Sequence, residues 1–323
     1  MAGEKAAVLV LGPPKKIIVE GLAEDFHVHH IFNPKDVDDA WLTKHGASIV
    51  AAAHAGPPGA VNAAMMDRMP NLKFISSFGV GYDHIDAKHA ATRGVTVTNT
   101  PDVLNEEVAD TALGLLLSTV REFPQSERFL RAGKWPGGDY RLTASLRNRT
   151  VGMVGLGRIG KAITRRLDAM NVPVVYHTRT KQPDVAYRHY ANLVEMAKDV
   201  DVLLVITPGG AATKNLINAE VLKALGPDGI LINMARGTVV DEAALLDALK
   251  NGTILTAGLD VFMNEPEVHP DLIANENIVM FPHLGSSTKP TRAAMEQLVV
   301  DNLRAWKSGK APLTPVPETP WKG

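Results

Sequence analysis

Val151-Gly-Met-Val-Gly155-Leu-Gly157-Arg-Ile-Gly160 is the stretch from which the rest of this chain can be read. A short apolar run, Thr150 to Val154, ends in three glycines spaced two and then three residues apart, and Lys161 to Met170 then reads as a helix. In a strand-turn-helix unit each glycine has its own task. Gly155 permits the tight turn, Gly157 lets a pyrophosphate approach the backbone, and Gly160 lets helix and strand pack closely. Phosphates then sit on the helix N-terminus, where unpaired N–H groups and the dipole favour negative charge.

The segment after this helix selects the nucleotide. The next strand, Pro173 to His177, runs into Thr178-Arg179-Thr180-Lys181. A unit specific for NAD needs an acidic residue about 20 positions along to accept hydrogen bonds from the ribose hydroxyls. Here position 178, 23 residues after Gly155, is threonine, and the nearest downstream acid is Asp184. A carboxylate would repel a 2′-phosphate, whereas Thr178, Arg179 and Thr180 would hydrogen-bond it and Lys181 would add charge. The loop therefore favours NADPH; an ordinary solvated basic loop is the plainer alternative.

From Thr150 onward six strands are expected, at 150–154, 173–177, 202–206, 230–234, 255–259 and 277–281, most of them separated by helical stretches. This is the cadence of a doubly wound parallel sheet, whose ligands bind beyond the carboxyl ends of the strands. The residues just past each strand are therefore the site candidates: Thr207-Pro208, Ala235-Arg236-Gly237, Asp260 with Glu265, and Pro282-His283-Leu284-Gly285. Three of these ends carry an Arg, a Glu and a His. Each alone has a dull explanation, as a surface cation, a loop acid before Pro266, or a histidine bonded to backbone. Together they match the needs of hydride delivery to a 2-keto acid, which calls for a cation at the carboxylate and carbonyl and an acid for the new alkoxide. A carboxylate beside the imidazole favours its charged, proton-donating form.

Residues 1 to about 99 alternate short strands (Ala6–Leu11, Phe26–Ile31, Ser48–Ala52, Lys73–Ser76, Val95–Thr98) with helical stretches, which argues for a second parallel α/β sheet. His27, His29 and His30 suggest a metal cluster, but along a strand they point to both faces, and they are read as solvent-side residues; no metal site is expected. Ser76-Ser-Phe-Gly79-Val80-Gly81 ends a strand in glycines and is either an anion-binding nest of N–H groups or a simple turn. Helices are expected over 106–121, 121–134 and 290–307, a hinge at Asn99-Thr-Pro101, and an extended Pro-rich tail over 312–320. The loop Trp135–Leu142 holds two large aromatics that serve an interface or cap a core.

Composition bounds the rest. The 323 residues leave room for two domains, and 45% hydrophobic residues can bury two cores. A net charge of −1 gives no field suited to nucleic acid or a membrane surface. With no cysteine there is no disulfide, thiolate nucleophile or Cys-ligated zinc, which is compatible with a reducing cytoplasm. The apolar run at 6–11 is too short for a secretory signal and reads as a first strand, and no run approaches 18 apolar residues.

The chain resembles the D-isomer-specific 2-hydroxyacid dehydrogenases over nearly its whole length. The resemblance is carried by Gly155-Leu-Gly-Arg-Ile-Gly160, Asn233-Met-Ala-Arg236-Gly237, Gly258-Leu-Asp260-Val-Phe-Met-Asn-Glu265-Pro266 and Pro282-His283-Leu-Gly-Ser-Ser-Thr288. It is closest to the NADPH-dependent glyoxylate/hydroxypyruvate reductases, in the branch that includes plant hydroxyphenylpyruvate reductases, through residues 98–116, the Lys134-Trp135 loop and Gly209–Thr213. It implies an α/β fold of two domains, a Rossmann doubly wound sheet inserted into a flavodoxin-like substrate domain. Residues 1–99 with 289–323 would bind substrate, residues 100–288 the dinucleotide, and an arm over 121–149 would build a homodimer, with catalysis in the cleft.

By the same resemblance His283 is the general acid/base, Glu265 its partner and Arg236 the substrate-binding cation. The N–H groups of Val80 and Gly81 hold the carboxylate and Asp260 the nicotinamide carboxamide. NADP(H) would be bound by Gly155, Leu156, Gly157, Arg158, Ile159 and Gly160, by Thr178, Arg179 and Thr180, and by Thr207, Pro208, Met234, Ala235, Asp260, His283 and Gly285. Phosphite dehydrogenases carry lysine where this chain has Val80, and formate dehydrogenases glutamine in place of Glu265, so both branches are disfavoured. Met234 departs from the smaller or β-branched residue of many relatives. The implied reaction is reduction of glyoxylate or hydroxypyruvate. Reduction of hydroxyphenylpyruvate, and nucleotide sensing without turnover, are the alternatives.

Overall fold

The computed structural model describes residues 5–56 and 60–322. The chain divides into two compact units, Met1–Leu104 with Thr288–Gly323, and Asn105–Ser287. The divisions fall at Leu104/Asn105 and Ser287/Thr288, where the sequence points to 99/100 and 288/289. Thr100 stays with the first unit because its N–H donates to Gly79 O and its Oγ1 accepts from Gly79 N–H, both at 2.9 Å.

The first unit begins β1 (Ala7–Leu11), α1 (Lys16–Ala23), β2 (His27–Ile31), α2 (Asp39–His45), β3 (Ile49–His54), α3 (Ala63–Asp67), β4 (Phe74–Ser77), α4 (Ala87–Thr92) and β5 (Thr96–Thr98). All its strand pairings are parallel, in the order β2-β1-β3-β4-β5. That is the flavodoxin-like order, which reverses between β1 and β3. Leu9, Leu11, Ile49 and Ile75 are fully buried, as strands covered by helices on both faces require. On the edge strand β2 the histidines differ from the expectation. Only His27 is exposed; His29 is packed edge-on against Trp41 at 5.7 Å, and His30 Nε2 bonds Gly12 O at 3.0 Å. Burial and the neighbouring His27 and His45 lower the pKa of His29. No group of three or more potential metal ligands exists among the described residues.

The second unit runs α5 (Asn105–Arg121), α6 (Phe123–Arg131), β6 (Val151–Val154), α7 (Arg158–Ala169), β7 (Val174–His177), β8 (Arg188–Tyr190), α8 (Leu193–Asp199), β9 (Val202–Val205), α9 (Ala219–Leu225), β10 (Ile230–Asn233), α10 (Glu242–Lys250), β11 (Thr256–Leu259), α11 (Pro270–Ala274) and β12 (Val279–Met280). A last helix, α12 (Lys289–Lys307), returns to the first unit and packs on α1 and β4. The second sheet is also parallel, in the order β12-β11-β10-β9-β6-β7-β8, so the direction of winding reverses between β6 and β9. This is the Rossmann order extended by one strand. The added strand is β12; β8, at the other edge, escapes sequence reading because Arg-His-Tyr is short and half polar, as an edge strand tolerates.

The helix expected over 121–134 is interrupted at Glu122, whose φ is 53°. Pro124, in the first turn of α6, has no N–H to continue the α5 ladder, so the helix restarts there. Glu122 Oε2 at the break accepts from Tyr140 Oη at 2.6 Å and Arg141 Nε at 2.8 Å, which holds the later segment against the start of α6. α6 buries none of its residues, and Trp135 (60%) and Leu142 (99%) are exposed, so Trp135 caps no core of this chain. No helix among the described residues is long and apolar enough to cross a membrane.

Candidate active site

The turn between β6 and α7 has the shape its glycines demand. Gly155 has φ +101°, and a Cβ there would lie 2.8 Å from Ile206 O; a Cβ on Gly160 would lie 2.8 Å from Gly155 O. Gly157 faces open space and caps α7 with no side chain, and no acid occupies the first turn of that helix. The leading N–H groups and positive dipole end of α7 are thus left for an anion. Across the reversal point, Thr207 lies just past β9, its Cγ2 3.2 Å from where a Gly155 Cβ would be. Its Oγ1 is buried without a hydrogen-bond partner among the described residues. A buried hydroxyl left unpaired is costly, and a ligand in this turn would satisfy it. The cradle therefore fits a dinucleotide.

At the end of β7, β8 holds the loop Thr178–Lys181 from the side: His177 Nδ1 bonds Tyr190 O and His189 Nε2 bonds Thr178 O, both at 2.9 Å. The Thr178 hydroxyl donates to Thr180 O at 2.7 Å within the turn of this loop. Arg179, Thr180 and Lys181 are exposed, and Arg179 has no ion-pair partner among the described residues.

Arg236, Glu265 and His283 come together at the carboxyl edge of this same sheet. Asn233, 1% exposed at the end of β10, uses both ends of its amide: Nδ2 donates to Arg236 O and Oδ1 accepts from Ala235 N–H, each at 3.1 Å. A Cβ on Gly237 would fall 1.9 Å from the carbonyl carbon of Phe262, so the loops after β10 and β11 lie backbone to backbone. Arg236 is half-buried and donates from Nη1 to Ala235 O at 2.7 Å. Glu265 Oε1 accepts from Phe262 N–H at 2.9 Å, and its Oε2 lies 2.7 Å from His283 Nδ1. Burial pushes the Glu265 carboxyl up, but the His283 bond and charge, the Phe262 N–H and the Arg236 charge outweigh it, and the group titrates below its ordinary value.

With Nδ1 committed to Glu265, Nε2 of His283 is the nitrogen left to exchange a proton. His283 sits in the left-handed region at φ 51° with its side chain 46% exposed. Asp260 keeps it there. Its carbonyl accepts from His283 N–H at 2.9 Å, and its carboxylate takes Leu284 N–H on Oδ1 at 2.6 Å and Gly285 N–H on Oδ2 at 3.0 Å. Burial raises the Asp260 pKa while those two N–H groups and His283 oppose it. Met234 and Ala235 are buried beside this turn, Met234 Cε 3.6 Å from a Gly285 Cβ position.

In the first unit, the loop after β4 is held at its carbonyls and at Gly79. Asn99 Nδ2 donates to Val80 O at 2.8 Å and Thr100 grips Gly79, while the N–H groups of Val80 and Gly81 have no acceptor among the described residues. Two adjacent backbone donors are thus left open, as an anion-binding loop requires.

The sequence profile described as the D-isomer specific 2-hydroxyacid dehydrogenase, NAD binding domain, matches residues 113–285. The chain belongs to that family. Among solved structures, the NADPH-dependent glyoxylate/hydroxypyruvate reductase of Sinorhizobium meliloti, in complex with NADP and malonate, is 49% identical with a TM-score of 0.94, covering 99% of each chain. The glyoxylate/hydroxypyruvate reductase A of Arabidopsis thaliana and the hydroxyphenylpyruvate reductase of Plectranthus scutellarioides are each 42% identical, over 97% of this chain and 99% of their own. In this member of the family, sequence alone assigns no site role to Asn99, Thr100 or Asn233. Each is a polar residue at or just beyond a strand end whose role appears only as a backbone contact.

Glu265 also ties the site to pH. A carboxyl whose folded pKa is lowered contributes stability above its unfolded value and loses it as pH falls through the folded one. The support that Glu265 lends the His283 turn is therefore present at neutral pH and lost below the ordinary carboxylate range. Glu265→Gln removes the titrating carboxyl, so the loss of stability on acidification that its lowered pKa produces should be smaller in the variant when thermal unfolding is followed from neutral to acid pH. An unchanged pH dependence of unfolding would deny Glu265 this role.

Proposed function

We propose that this protein is an NADPH-dependent reductase of small 2-keto acids, taking glyoxylate to glycolate or hydroxypyruvate to D-glycerate. The observation that carries the proposal is the His283–Glu265 pair with Arg236 at the same sheet edge as the glycine turn. A bound reduced nicotinamide dinucleotide supplies a hydride to C2. Arg236 offers the guanidinium for the carboxylate and carbonyl oxygen, concentrating positive charge where negative charge develops. Nε2–H of His283 protonates the new alkoxide, and Glu265 stabilises the imidazolium before that transfer. The amides of Val80 and Gly81 are assigned to the substrate carboxylate, and Gly155–Gly160, Arg179, Thr180, Thr207 and Pro208 to the dinucleotide. Asp260 has spare lone pairs for a carboxamide N–H beyond its two backbone bonds.

A second reading, an aromatic 2-keto acid reductase, has support in the equally similar hydroxyphenylpyruvate reductase. Lack of cysteine suits action in the cytoplasm. The exposed apolar side chains Phe123, Leu130, Trp135 and Leu142 on the arm suit a homodimer.

With hydroxypyruvate, the protein should oxidise NADPH faster than NADH; equal or better use of NADH refutes the nucleotide assignment, preference for hydroxyphenylpyruvate selects the second reading, and no turnover on any 2-keto acid points to nucleotide sensing. Arg179→Asp should cut the NADPH/NADH ratio of kcat/KM on the order of 10–100-fold, the worth of one charge-assisted contact. His283→Ala should lower kcat about 10²–10⁴-fold. Leu142→Arg should turn a dimer into a monomer in light scattering, and an unaltered mass would take the arm out of the interface.

A further inference from the structure

Lys15 takes no part in the pair of open amides or in the site of the second unit. It ends the loop from β1 and precedes α1, half-buried, with Nζ 4.1 Å from the centroid of the Phe78 ring; the Arg292 guanidinium lies 5.3 Å from the same ring. A Cβ on Gly56, just past β3, would touch both Lys15 Cε at 3.8 Å and Phe78 Cδ1 at 3.9 Å. Lys15 thus stands at the carboxyl ends of β1, β3 and β4, where the first sheet reverses its winding between β1 and β3. In such sheets that crevice is where ligands bind.

Its ammonium is chemically unfinished. It carries three N–H donors and makes no hydrogen bond among the described residues. The Phe78 face attracts the charge but accepts none of the donors in the manner of an oxygen. Burial lowers the pKa of Lys15, Arg292 lowers it further, and Glu296 opposes them. Glu296 Oε2 is itself engaged, accepting from Ile17 N–H at 3.2 Å. Phe78 and Val80 belong to the same loop after β4, two residues apart, so Lys15 contacts the loop that carries the two open amides.

We propose that Lys15 is a specificity-determining residue that binds an oxygen-bearing substituent beyond C2 of the 2-keto acid, a carboxylate in preference to a hydroxyl. The proposal rests on the reductase reading, in which Val80 and Gly81 hold the C1 carboxylate. The two amides then take one end of the substrate and Lys15 the other, and the Arg292 charge beside it favours an anion there.

The test compares the intact protein with Lys15→Met and Lys15→Arg on glyoxylate, pyruvate, hydroxypyruvate and oxaloacetate. Lys15→Met should leave kcat/KM within about 2-fold for the first two, which have no oxygen to offer beyond C2. It should lower it about 10-fold for hydroxypyruvate and on the order of 10–100-fold for oxaloacetate, through KM with kcat kept, as loss of a hydrogen bond to a charged group implies. Lys15→Arg should recover most of that loss. A uniform loss on all four acids, or none on any, overturns the proposal. If the unaltered protein reduces none of them, it is the reductase reading that fails, and calorimetric titration with D-malate against D-lactate then decides. A Lys15→Met loss confined to malate upholds the role, and an equal or absent loss rejects it.

Discussion

Asp260 is a carboxylate taken out of water, 2% exposed, and such a group is tolerated only when its oxygens are occupied. Here they are occupied by the N–H groups of Leu284 and Gly285, while the Asp260 carbonyl takes that of His283. One residue at the end of β11 therefore dictates the course of the chain after β12. The left-handed backbone at His283, a conformation that costs an ordinary residue of order 1 kcal/mol or more, persists because these three bonds over-determine it. The imidazole is aimed by its backbone before Glu265 touches it.

The remaining parts of the second unit's site are aimed in the same way, by backbone contacts at strand ends. Asn233 closes the turn that presents Arg236, and the bare Cα of Gly237 lets that turn lie against Phe262–Met263. Glu265 is reached from that same Phe262 N–H. The three functional side chains are separated in sequence, yet parallel strands deliver them to one edge because every crossover returns the chain in the same direction. Preorganisation of this kind puts charge in place before the reaction begins, which is what makes it useful at a developing alkoxide.

The two sheets solve the ligand problem in different ways. The second unit offers a helix end kept free of side-chain caps and acids, suited to a phosphate. The first leaves two loop amides without an acceptor among the described residues and seats a half-buried lysine over the Phe78 ring. Each set lies where its sheet supplies ends of strands rather than flanks, so both sit on connecting loops of a rigid frame.

The amino-acid sequence by itself determined the alternation of strands and helices, the three glycines and the identity of Arg236, Glu265 and His283. These arise from local period and from backbone demands that glycine alone meets, and such signals are contained within a few residues. Strand β8 stayed hidden because an edge strand needs no apolar run, and the return of Tyr140 and Arg141 to Glu122 because it joins positions far apart in the chain. The bracing by Asp260 and the seat of the Lys15 ammonium over Phe78 were likewise decided only by tertiary structure. A hydrogen bond depends on which distant atom arrives within about 3 Å, and no periodicity in sequence encodes that arrival.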